Sequence, residues 1–375
     1  MRIFLHTLFF LLTISKFLAQ EPVFVQFNNN PIYLNPSLMG QHKWRATSMA
    51  SKNWSFLPDK FNNTLLAIDG QLESKNRKIL DNENPTLNYA ISYRRNSEGQ
   101  LSLTTDEVSG GLGVITQIHS LVKFRFAITT KIGRRGINWN NAVFVKDLDP
   151  LLGFVSSNSF IPPASNVFWY KNVNTGFSFR IRNRSKVYDW EINSGLSLSN
   201  IISQENSFFY NGNSRNLKTN AFFTFRSIKR NSRVSGFYSE QLFSRTLQLA
   251  GEMKFKNIIG GVTFRSQFIS SKINNVLGPS ESLWFNFSFL REFEDSKFYN
   301  ISYSAGITLS ELGFQDTFLS HEISMQIFKL SKNELSYSHE KDWFCPGDKG
   351  VRKDLNINKQ NIDKYNKKRA KKRNN

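Results

Sequence analysis

The stretch Val122-Lys123-Phe124-Arg125-Phe126-Ala127-Ile128 sets a large apolar side chain at every second position, with Lys123, Arg125 and Ala127 between. In an extended strand these two sets point to opposite faces. The same period of two returns along the chain. Leu87, Tyr89, Ile91 and Tyr93 alternate with Asn88, Ala90 and Ser92, and Phe177, Phe179 and Ile181 with Ser178 and Arg180. Further runs are Leu247 to Phe255, Val262 to Phe268, Leu283 to Phe289 and Ile301 to Leu309. The last is Leu319, His321, Ile323, Met325 and Ile327, with Ser320, Glu322, Ser324 and Gln326 opposite.

Each run has one apolar and one polar face. A transmembrane antiparallel β-barrel needs that pattern, because lipid lies outside and water inside. Closure is what satisfies every strand hydrogen bond in hydrocarbon. A soluble β-sandwich is also built from half-buried alternating strands, so the pattern favours the barrel without deciding it. Composition fits short alternating strands: 35 Phe in 375 residues, yet a hydrophobic content of only 39%. We expect an all-β barrel of about 12 to 14 strands, an even number that brings both chain ends to the periplasm.

The N-terminus has secretory form. Arg2 precedes the apolar residues Ile3 to Leu5 and Leu8 to Leu12, and Ser15-Lys16-Phe17-Leu18-Ala19 closes the segment. The expectation is a signal peptide over 1–19, a barrel over 20–340 and a basic tail over 341–375. The early apolar run is too short to span a bilayer and is broken by His6; no later segment reaches the roughly 18 apolar residues a spanning helix needs. A single cysteine, Cys345, excludes an intramolecular disulfide.

Net charge is +20. The cations are spread over strand-like segments behind a secretory leader, which argues against nucleic acid and for anionic lipid, an acidic partner or plain solvation. The tail holds twelve Lys or Arg against four Asp. It ends in Lys367-Lys368-Arg369 and Lys371-Lys372-Arg373, candidates for gripping an acidic partner, although such blocks are usually solvated and disordered. Turn signals stand at Asn96 to Gly99, Arg134 to Gly136, Lys229 to Arg233 and Gly278-Pro279. Asp147 to Asn172, with three prolines, reads as a long loop or irregular insertion.

Catalytic and metal chemistry have little to hold. Beyond the leader the histidines are His42, His119, His321 and His339, none at metal-ligand spacing from another or from Cys345. His119-Ser120 and His321-Glu322 are sequence neighbours, which a strand would point to opposite faces. There is no nucleophile elbow, phosphate loop or dinucleotide fingerprint. No catalytic residue, metal site or cofactor is assigned.

Two segments carry a family resemblance. Val25-Gln26-Phe27-Asn28-Asn29-Asn30-Pro31-Ile32-Tyr33-Leu34-Asn35-Pro36-Ser37-Leu38-Met39-Gly40 resembles the opening of the PorP/SprF family, with Asn30, Pro31, Tyr33, Asn35, Pro36 and Gly40 at the motif positions. Ser37 stands where the family usually has Ala. Ser320-His321-Glu322-Ile323-Ser324 resembles the family's closing strand, and Cys345-Pro346 the Cys-Pro that often follows. The resemblance implies an outer-membrane β-barrel of Bacteroidota serving type IX secretion and its gliding branch. It also implies a role in export or surface attachment of a large secreted adhesin, and association with a periplasmic peptidoglycan-binding protein. A small-solute transporter or porin is the alternative that alternating strands fit equally well. Read from its own residues, the Asn-Pro segment should be rigid and outside the ladder, because each Pro removes a donor and biases its predecessor away from helix. It is either a lead-in to the first strand or a plug or periplasmic contact. Glu322 should face the lumen.

Overall fold

The computed structural model describes residues 24–53, 61–72, 85–99, 103–119, 121–137, 148–149, 153–154, 166–184, 189–202, 217–227, 230–241, 244–269, 277–294, 297–309 and 319–330. The leader, Cys345 and the basic tail lie outside the described residues.

The strands are β1 (Trp44–Asn53), β2 (Phe61–Leu72), β3 (Thr86–Glu98), β4 (Leu103–His119), β5 (Val122–Gly136), β6 (Leu148–Asp149), β7 (Gly153–Phe154) and β8 (Val167–Arg184). They continue as β9 (Asp189–Ser199), β10 (Lys218–Ser227), β11 (Ser232–Gln241), β12 (Ser244–Phe255), β13 (Ile258–Ile269), β14 (Leu277–Glu294), β15 (Lys297–Thr308) and β16 (Ser320–Lys329). The short β6 and β7 pair only with each other; the remaining fourteen form one closed antiparallel barrel. The seam joins first strand to last, from Trp44 opposite Lys329 to Lys52 opposite His321. Among the described residues the barrel has no open edge, so its ladder is complete all round.

The faces separate as alternation predicts. On β16, Ser320, Glu322, Ser324 and Gln326 are buried toward the lumen, while Ile323 and Met325 are exposed outside. On β5, Arg125, Ala127 and Thr129 are buried and Phe126, Ile128 and Ile132 exposed. The outside is thus a belt of Leu, Ile, Val and Phe, and the inside is polar.

Three expectations need correction. Val167 to Asn172, read as the end of a long loop or irregular insertion, are the first residues of β8; Gly136 to Lys131 on β5 lie opposite them. Arg134 to Gly136, read as a turn, remain in β5, paired on both sides with β4 and β8. Ladder bonds on both edges outweigh the turn preference of an isolated Gly. Gly278-Pro279 lies within β14, in a stretch that runs past the first β14–β15 pair at Ser282. A proline is tolerated there because on that side no ladder donor is required of it.

The barrel has two unlike ends. Connections at one end are short: 120–121, 185–188, 228–231, 256–257 and 295–296, with 73–85 as the exception. The other end carries the long ones, 137–166, 200–217 and 309–319 among them. The first strand starts and the last strand finishes at the short-turn end.

Candidate functional site: a lumen filled by the N-terminal segment

Residues 24–40 do not precede the barrel; they occupy it. Phe24, Val25, Phe27, Leu38 and Met39 are each exposed by no more than 3%. Two Asn-Pro steps shape the segment. Asn30 caps the one-turn helix α1 (Pro31–Leu34), its Oδ1 accepting from Tyr33 N–H. Asn35 caps the 3-10 turn Pro36–Leu38, its Oδ1 accepting from Ser37 N–H at 2.9 Å. Asn is a strong N-cap, and a Pro in the first helical position loses no hydrogen bond. The segment is therefore a succession of single turns, at Phe27–Asn29, Pro31–Leu34 and Pro36–Leu38.

The same Asn35 fixes the segment to the wall. Its Nδ2 donates to the backbone carbonyls of Leu196, at 2.9 Å, and Phe177, at 3.3 Å. This approach is possible because β8 offers Gly176: a Cβ there would stand 2.0 Å from Asn35 Oδ1. Ser37 and Ser178 hydroxyls bond at 2.9 Å, and Ser197 donates to Leu34 O. At the exit, Gly40 takes φ +66°, a left-handed backbone that suits glycine. Its N–H donates to Asp69 at 2.7 Å, and Asp69 is gripped from the other side by Arg45 at 2.8 and 3.0 Å.

The start of the segment is held by the closing strand. Glu322 accepts from the backbone N–H of Val25 at 2.9 Å and of Gln26 at 2.7 Å, one carboxylate oxygen each. Gln26 donates to Ser304 and accepts from Ser324, and Asn29 donates to Ser302 and Ser324. Each is a buried or half-buried polar group finding a partner, as burial requires. Apolar contacts fill the rest: Phe27, Leu34 and Leu38 with Phe222, Phe237 and Ala250, and Ile32 and Met39 against Ala67, Ala90 and Ala127. Tyr33 faces upward toward the long-loop end. Arg94 donates to its hydroxyl and lies 4.9 Å from its ring centre, with Lys218 Nζ at 5.6 Å.

The structure thus brings Asn30, Pro31, Tyr33, Asn35, Pro36, Gly40 and Glu322 into one assembly. Ser320 is also buried inward, opposite Gly306. His321 is apart from it: it faces outward, its Nδ1 2.6 Å from Tyr303 Oη. Lys367, Lys368, Arg369, Lys371, Lys372 and Arg373 lie outside the described residues. Sequence reasoning missed Gly176, Asp69, Arg94 and Gln26. Gln26 stood in the motif but without a stated role, and nothing in local spacing marks the other three.

Among the described residues, polar spaces remain on either side of the segment. One, toward the long-loop end, is lined by Tyr33, Arg94, Glu107, Lys131, Asn174 and Lys218 among others. The other, toward the short-turn end, is lined by Asn28, His42, Arg45, Arg233, Glu252 and Gln326 among others. Wall charges are largely paired: Glu107 with Arg94 at 2.6 Å and Lys131 at 3.4 Å, Glu191 with Arg180 at 2.6 Å and Arg226 at 3.1 Å, Glu252 with Arg233. Among the described residues no group of three or more His, Cys, Asp or Glu could hold a metal ion. What the arrangement offers is hydrogen bonding and ion pairing.

Residues 16–327 match a family model described as type IX secretion system membrane protein PorP/SprF. No curated protein matches the chain. Among solved structures, the chain is similar to the CymD monoaromatic hydrocarbon channel at 9% identity and TM-score 0.45, covering 81% of this chain and 93% of that one. It is also similar to the translocator domain of autotransporter NalP from Neisseria meningitidis, at 11% identity and TM-score 0.37 over 81% and 94%. For BamA from Haemophilus ducreyi lacking POTRA domains 1-3 the values are 7% and 0.39 over 76% and 70%.

Proposed function

Because the chain belongs to the PorP/SprF family of type IX secretion system membrane proteins, we propose that it holds or guides a large secreted adhesin at the outer membrane, by binding and without chemistry of its own. The coarser part of that statement rests on family and fold: the chain is a type IX secretion barrel of the outer membrane. In such barrels short turns face the periplasm and longer loops the exterior. By that rule the long-loop space opens outward, and both β1 and β16 meet the periplasm at their Trp44 and Lys329 ends.

The filled lumen carries the choice between readings. A porin needs a continuous aqueous path. Here the path is occupied by residues 24–40, fastened at Glu322, Asn35 and Gly40. That supports a scaffold or docking role over small-solute transport. The partner at the outer face is then the adhesin, and a peptidoglycan-binding protein is the natural neighbour at the periplasmic end. Deleting the gene should abolish surface display of one cognate adhesin while general type IX secretion continues, read by surface proteolysis and proteomics of the culture medium. Normal display of every such adhesin in the deletion strain defeats the proposal.

A further inference from the structure

Outside the barrel, one level of the ladder differs from the mainly apolar rows beneath it, of which the nearest carries a single cation, Lys171 on β8 opposite Ile132. Arg95 on β3 lies opposite Asp106 on β4, Asp106 opposite Arg134 on β5, and Arg134 opposite Trp169 on β8. The four therefore form one row across four neighbouring strands. All four point outward, since Arg94, Glu107, Gly133 and Tyr170 beside them in sequence face the lumen. The Arg95 side chain is 60% exposed and that of Arg134 49%, while Asp106 between them is 18% exposed. Trp169 is 69% exposed.

The height of the row is informative. On β5 the outward residues from Val122 to Ile132 are uninterrupted by charge. The ten steps from Val122 to Ile132, at about 3.3 Å each and tilted by about 40°, give a band about 25 Å tall, the apolar height of an outer-membrane barrel. Arg134 is the next outward residue after Ile132. The row thus stands at the upper limit of the hydrocarbon, on the side of the long loops, where the headgroups of the outer leaflet lie. Trp169, with an apolar body and a polar N–H, suits that boundary.

Asp106 holds the two arginines without using them up. Its Oδ2 accepts from Arg134 Nη2 at 3.1 Å, its Oδ1 accepts from Tyr93 Oη at 2.9 Å, and Arg95 Nε stands 3.9 Å away, an ion pair beyond hydrogen-bond reach. A guanidinium carries five N–H donors, so the contacts with Asp106 do not exhaust those of Arg95 and Arg134, whose side chains are half-exposed or more. The two backbones are two strands apart, about 10 Å. Two planar forks at that spacing, oriented by a shared carboxylate at the edge of a lipid belt, match phosphate better than any neutral headgroup.

We propose that Arg95, Arg134 and Trp169, with Asp106 as the orienting group, form a binding site for the phosphorylated headgroup of an outer-leaflet glycolipid. The site belongs to the lipid-facing wall and is independent of the filled lumen. The test uses the full-length barrel purified in detergent, titrated with bisphosphorylated lipid A and with the same lipid A stripped of its phosphates, bound lipid being counted by native mass spectrometry. Each arginine is expected to contribute about fivefold, so Arg95→Gln with Arg134→Gln should bind the phosphorylated lipid on the order of twentyfold more weakly. Removing the phosphates should weaken binding to the unmodified barrel similarly. Heat-modifiable gel migration reports whether the double variant is folded. If it is not, Arg95→Lys with Arg134→Lys replaces it and should retain charge-dependent binding with reduced affinity. Equal binding of the two lipids by the unmodified barrel, or of the phosphorylated lipid by barrel and folded Gln variant, overturns the proposal.

Discussion

Asn35 makes two kinds of bond at once, capping its own turn and donating to two carbonyls of the wall. Its fit depends on what β8 lacks. Gly176 has no strained backbone angle, so alanine there is conformationally acceptable; only the 2.0 Å approach to Asn35 Oδ1 forbids it. Gly176→Ala should therefore destabilise the barrel by about 2 kcal/mol, a typical overpacking cost, measured by urea unfolding in lipid vesicles. Combining it with Asn35→Ala should be clearly less harmful than the sum of the single changes, because both act on one contact. Strict additivity of the pair counts against the contact. Legibility at this scale was uneven. The Asn-Pro steps announced caps because capping is local. Gly176 looked like any other glycine in an alternating strand, since its reason lies 141 residues away at the segment it admits.

The segment 24–40 is an element without a ladder of its own, held by wall side chains from at least six strands. Its start hangs on Glu322, whose two oxygens serve two backbone donors. Deleting residues 24–40 should convert a silent barrel into one with steady open-channel conductance in planar bilayers. The two charge-assisted bonds to Glu322 are each worth about 1.5–3 kcal/mol, so Glu322→Ala should give intermittent openings of the same size. A deletion variant that stays silent while folded would show that other groups fill the lumen. The strands themselves were legible where outward Phe, Ile and Leu met inward Arg, Lys or Gln, as on β5, β12 and β16. They were not where one face turned small. On β1 the outward residues are Ala46, Ser48 and Ala50, so neither face carries a run of large apolar side chains. Val167 to Asn172 was misread for a related reason: prolines nearby signalled a loop, and the pairing partner on β5 was invisible to local pattern.

At the scale of the whole molecule, an even count of fourteen strands puts the start of β1 and the end of β16 on the same side. β16 accordingly ends at the short-turn end, periplasmic in the proposed orientation, and the cations Lys367 to Arg373 follow it in sequence. We expect them to grip an acidic periplasmic partner. Truncation after Asp363 should reduce partner co-purification at low salt and make little difference at high salt, where screening already weakens such contacts. Unchanged co-purification under both conditions leaves the tail as a solvated end. Period two favoured a barrel with lipid outside over a sandwich; that the Asn-Pro segment fills the interior was one of the open readings of that segment, because the contacts that decide it join the two ends of the chain. Val25 and Glu322 are separated by 297 positions. That separation makes one strand answer for two tasks. A chain lacking its last strand has neither the partner for β1 nor the anchor for its own beginning. Docking of β16 therefore both completes the wall and secures its contents, and a chain truncated before it can accomplish neither.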